Sequence, residues 1–136
     1  MKKILLLLFV PFLLIGKDSD LTLQFLAGKY TLIGKKPDSN KTYHGTIVFS
    51  YTDEAKELSF TRYIKGKKTK GIAKIEKALA GEAEVLRLRF KENRKEYEGT
   101  FLWRSDLDNY GRLSGFIYQK NGGTNKPGLE AYFVLP

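Results

Sequence analysis

The chain has 136 residues, room for one domain, with a formal net charge of +9, 13% aromatic residues and no cysteine. The missing cysteines exclude disulfide staples, thiol nucleophiles, cysteine-ligated zinc and dithiol redox chemistry, so stability has to come from apolar burial and backbone hydrogen bonds. The basic balance favours anionic partners.

Taken in chain order, residues 1–16 read as a cleavable export signal. Lys2 and Lys3 form a charged start, and Ile4 to Ile15 are apolar apart from Pro11. That run is shorter than the roughly 20 residues a bilayer crossing needs. The expected protein is therefore exported, periplasmic or secreted, with a single domain over 17–136. Asp18 or Ser19 caps a short helical turn through Leu21, Leu23 and Phe25, ending at Gly28.

Eight segments with strand character follow, at about 29–34, 43–51, 57–64, 70–76, 84–90, 96–104, 112–119 and 129–135. Tyr43-His44-Gly45-Thr46-Ile47-Val48-Phe49 recurs as Tyr97-Glu98-Gly99-Thr100-Phe101-Leu102-Trp103, and each copy leads to a Leu-Ser segment with an aromatic and then to a Gly opening an apolar run. The chain is thus two four-strand halves. Gly45, Gly71, Gly99 and Gly115 interrupt apolar runs, as bends and close approaches in a closing sheet require, with Tyr43, Tyr97 and Phe116 as candidate covers. The expected fold is all-β: one antiparallel, up-and-down, eight-stranded barrel behind a short N-terminal helical turn.

Gly28-Lys29-Tyr30, after the helical lead-in, resembles the lipocalin Gly-x-Trp motif with Tyr in place of Trp. Ser105-Asp106-Leu107-Asp108-Asn109-Tyr110, between the sixth and seventh strands, is similar to that family's Thr-Asp-Tyr-x-x-Tyr motif at substituted positions. No Arg follows Arg112 to supply the third lipocalin signature, and a C-terminal helix is missing. The resemblance is to calycin-like barrels in general. It implies an open mouth through which a ligand enters.

In an up-and-down barrel the odd-numbered loops share one end. They carry Lys35, Lys36, Lys65, Lys67, Lys68, Lys70, Arg94 and Lys95, while the even-numbered loops carry mostly acids, so a cationic rim is expected. Solubility of exposed hairpins is the simpler use of such lysines. Tyr43, Phe49, Phe60, Phe101, Trp103 and Phe133 take the inward phase, as core filling or as the walls of a ligand site. Arg62 follows Leu58 and Phe60 on that phase. A buried guanidinium needs a partner, either a ligand headgroup or an internal acid such as Glu130.

Catalysis finds little support. His44 lies on the outward phase, where a Ser-His-Asp set would need Ser50, Ser59 or Ser114 without an oxyanion cradle, and Asp106-x-Asp108 lacks the closing ligands of a calcium loop. Lys65 to Lys70 with Tyr63 or Tyr118 would suit nucleic acid, but export and the clustering of lysines at loops argue against it. The expected function is binding, by a monomer without metal or cofactor, of a small amphipathic molecule with an anionic group. The competing class is an inhibitor-like module that docks its basic rim on an acidic protein or envelope surface while its core stays filled.

Overall fold

A computed structural model describes residues 18–103 and 112–135. Residues 1–16, expected to be an export signal, the Ser105–Tyr110 motif and the Asp106-x-Asp108 segment lie outside the described residues. Helix α1 (Asp18–Leu26) leads into β1 (Gly28–Lys35), β2 (Thr42–Thr52), β3 (Glu57–Ile64), β4 (Lys67–Ala78), β5 (Ala83–Glu92), β6 (Lys95–Leu102), β7 (Arg112–Gln119) and β8 (Gly128–Val134). Every strand pairs antiparallel with its neighbour in sequence, and β8 closes on β1. This is the expected eight-stranded up-and-down barrel. Closure leaves no free sheet edge. Among the described residues no helix is long and apolar enough to cross a membrane.

The period of two sets the interior. Tyr30 and Leu32, then Tyr43, Ile47 and Phe49, then Leu58 and Phe60, then Ala73, then Leu86, Leu88 and Phe90 face inward on β1 to β5, joined by Phe101, Leu113, Ile117 and Tyr132. Leu23 and Leu26 of α1, three residues apart on one helical face, plug one end, whereas Leu21 and Phe25 face out. An aromatic column runs up the barrel through edge-on contacts: Tyr30 to Phe49 at 5.7 Å, Phe49 to Phe60 at 5.7 Å and Phe60 to Phe90 at 6.1 Å.

Three details correct the sequence reading. Phe133 faces outward and Tyr132 inward, because Gly128 and Glu130 hold the inward phase of β8. The fourth strand begins at Lys67 rather than Lys70, because Lys65 (φ 50°) and Gly66 (φ 74°) form a two-residue turn with both φ positive, the geometry that suits a tight hairpin. The interior covers of the mid-strand glycines are Phe60 and Phe101, not Tyr97 and Phe116. A Cβ on Gly71 would lie 2.4 Å from the Phe60 ring, and one on Gly115 2.8 Å from Phe101.

Candidate functional site

The chain order of the strands gathers the β1–β2, β3–β4, β5–β6 and β7–β8 turns at the end opposite α1. They surround a cup of about 640 Å³. Tyr43, Arg62, Ile64, Phe90, Tyr97 and Ile117 line it from within, and Lys36, Lys65, Lys67 and Lys95 stand on its rim. Phe90 and Tyr97 stack with centroids 5.4 Å apart, giving the cup one flat aromatic wall.

Below the cup the barrel is crossed by a buried polar tie. Arg62, 4% exposed, donates through Nη2 to Glu130 Oε1, and Glu130 is 3% exposed. The same oxygen accepts from the Tyr43 hydroxyl, and Oε2 accepts from the Tyr132 hydroxyl. In register Glu130 lies opposite Gly34 on one side and Gly115 on the other. Those bare positions open room beside the carboxylate. The Tyr43 ring fills the space over Gly34, where an added Cβ would come within 2.6 Å of it. The Arg62 guanidinium also lies 4.4 Å from the centre of the Phe90 ring, a cation–π contact, while its Nε–H has no partner among the described residues.

Electrostatics follow from this packing. Burial first, then the Glu130 charge, pushes the Tyr43 hydroxyl far above the ordinary tyrosine range, and Tyr132 moves the same way for the same reasons. Both hydroxyls therefore keep their protons and donate. Burial is the largest influence on Arg62 and would lower its value, but Glu130 together with Tyr132, Tyr43 and Glu92 outweighs it, and Arg62 is held above its ordinary range. The partner of the inward arginine is thus the internal acid Glu130, and the guanidinium reaches the cup only as part of its floor.

The rim is built differently. Lys67 reaches Asn93 Oδ1 at 2.6 Å and Glu92 at 3.4 Å. Lys36, Lys65 and Lys95 have no ion-pair partner among the described residues. Asp38, the other acid of the cup, is engaged elsewhere: its carboxylate accepts from the backbone N–H groups of Asn125 (3.0 Å) and Lys126 (2.6 Å), and its own N–H donates to the Lys126 carbonyl (2.9 Å). That latch ties the β1–β2 loop to the β7–β8 loop.

The sequence-predicted site residues are distributed unevenly. Tyr43, Arg62, Lys36, Lys65, Lys67 and Lys95 meet at the cup. Phe49, Phe60 and Phe101 are packed beneath it, and Trp103 is half-buried at the α1 end. Lys68 and Lys70 alternate with inward Thr69 and so stand on the outer wall, Lys68 5.9 Å from the Tyr63 ring. Lys35 lies beside the outer wall, and Arg94 occupies the β5–β6 turn without reaching the cup. Phe90, Tyr97 and Ile117 escaped the sequence reading as site residues. The signal for them was present in the alternation of β5 to β7, but nothing in the pattern alone marks which inward position lies nearest the mouth.

Comparison with known proteins decides nothing further. No family model matches this chain, and no curated protein matches it.

Proposed function

We propose that this barrel is calycin-like and acts, after export, as a non-enzymatic binding protein for a compact amphipathic anion held in the mouth cup. One observation carries the reading: three rim lysines with no ion-pair partner among the described residues, Lys36, Lys65 and Lys95, overlook a cup walled by Tyr43, Ile64, Phe90, Tyr97 and Ile117. Its 640 Å³ falls within the 300–1,000 Å³ typical of small-molecule sites. Tyr43, Phe90, Tyr97 and Ile117 would take the apolar part of the ligand, and the lysines its charge. The Arg62–Glu130 tie closes the floor, so the ligand sits in the mouth and does not thread the barrel. The packed interior below that tie favours a second reading, a docking module whose basic rim meets an acidic protein or envelope surface.

Calorimetric titration with decanoate, and with decylamine as the tail-matched cation, separates the two. The binding reading expects one decanoate per chain, weakening as salt rises, and decylamine weaker by about tenfold or more. Equal affinities, or no heat with either, would leave the docking reading standing.

A further inference from the structure

The outer wall of the barrel is sharply divided. Over β4 to β7 it carries an ionic ladder. Arg89 bridges Glu76 (2.9 Å) and Glu98 (3.1 Å), and Arg87 reaches the Tyr118 hydroxyl (2.9 Å). Around the circumference, register places Ile33, Ala131, Ser114 and Leu102 in one outward row across β1, β8, β7 and β6, with Leu129 and Phe116 in the next. Leu102 is 56% exposed, Phe116 51%, Ile33 48% and Leu129 46%. Small Ala131 and Ser114 lie between these large side chains, and a groove of about 980 Å³ results. Scattered exposed apolar residues are ordinary, but a contiguous apolar groove marks a contact surface.

We propose that this face pairs with the same face of a second copy of the chain. Charge selects that occupant. A chain of +9 repels its copies unless they meet where charge is missing, and in a sequence with 29% charged residues this groove has, among the described residues, one lysine, Lys35, and one acid, the buried Glu130. An anionic lipid surface would instead call for lysines around the apolar patch, whereas Lys35 is the one lysine lining this groove among the described residues and Lys36, Lys65 and Lys95 stand at the mouth. Area agrees. The four large side chains with Phe133 and Leu79 present on the order of 500 Å² of apolar surface, the larger part of the roughly 800 Å² per partner of a standard interface. Shape agrees as well. Large walls beside a floor of small residues let a Phe116–Leu129 ridge enter the groove of a two-fold mate, as a self-complementary contact requires. At the groove's end Leu79, 74% exposed, is held with φ 51°, a left-handed conformation that costs a leucine free energy and that burial against a partner would offset. The face is lateral, so pairing leaves both mouths open and does not depend on the binding reading.

Sedimentation velocity of the purified protein at micromolar concentration is the test. The expected result is a dimer that persists or strengthens as salt rises, and that becomes a monomer in Phe116→Lys/Leu129→Lys with its far-UV dichroism unchanged. Hydroxyl-radical footprinting of the wild-type chain covers the case of a variant that does not fold: Phe116 and Leu129 should be protected in concentrated samples and reactive on dilution. A wild-type monomer overturns the proposal, whether it floats with phosphatidylglycerol vesicles or not. A dimer that survives in the folded variant, or protection that does not change on dilution, overturns it equally.

Discussion

Arg62 and Glu130 each forfeit several kcal/mol of hydration by entering the barrel, and no single contact restores it. The carboxylate is satisfied by three donors from three strands, Tyr43, Arg62 and Tyr132, which fixes β2, β3 and β8 relative to one another across the interior. Removing one ion strands the other. Arg62→Met or Glu130→Gln is expected to destabilise the fold by about 3–5 kcal/mol, and the double change Arg62→Met/Glu130→Leu by much less, as read from urea unfolding. Equal losses in the single and double variants would show that the charges are not coupled. On the outer wall the hydrogen bond from Arg89, and then its charge, holds the Glu76 carboxyl below its ordinary 4.5. A depressed carboxylate favours the folded state above its unfolded pKa, and that contribution disappears as pH falls from about 4.5 through the folded value. Glu76→Gln should therefore flatten part of the acid limb below pH 4.5 and change neutral-pH stability by less than about 1 kcal/mol, since the side chain is 32% exposed. An unaltered acid limb in thermal melts would remove Glu76 from the balance. At this scale the sequence was partly legible. Leu58, Phe60 and Ile64 gave away Arg62's inward phase, but the choice between Glu130 and a ligand required knowing that Gly34 and Gly115 flank the acid.

The repeated heptad shows what the elements inherit. Gly45 pairs with Leu32 and Ile64, and its counterpart Gly99 pairs with Leu88 and Ile117, so the two halves share one register. Strand order and number could be read in advance because alternation and punctuation agreed at every hairpin. The phase error arose where large aromatics stand side by side, Tyr132 and Phe133, so that size alone does not mark the inward side. In β8, Phe133 is bulkier than Glu130 and drew the apolar reading, yet the buried carboxylate network outcompetes it for the interior. The Asp38 latch is an element-level feature that no spacing advertises, because its partners lie 87 and 88 residues away. Asp38→Ala should lose the slow hydrogen exchange of the Asn125 and Lys126 amides and lower stability by about 1 kcal/mol, leaving the β3–β4 side of the rim unchanged. Exchange that is equally slow in the variant would show that the two loops hold together without the carboxylate.

For the whole molecule, up-and-down order turns a scatter of lysines into a polarity. All four basic hairpins open at one end, while Asp53, Glu54 and Glu82 sit in turns at the other, beside α1. That much followed from loop parity alone. The depth of the opening did not, because side-chain volumes decide it: Phe49, Phe60, Phe101 and Tyr132 fill the lower barrel, and the Arg62–Glu130 tie sets the floor. The central claim is therefore one of place, that the anion site is the mouth and neither the interior nor the outer wall. Amide and side-chain NMR shift mapping during a decanoate titration measures it directly. The expected result is perturbation confined to Tyr43, Phe90, Tyr97, Ile117 and the rim of Lys36, Lys65 and Lys95. Shifts centred on Phe49 and Phe101, or on Phe116 and Leu129, would contradict it.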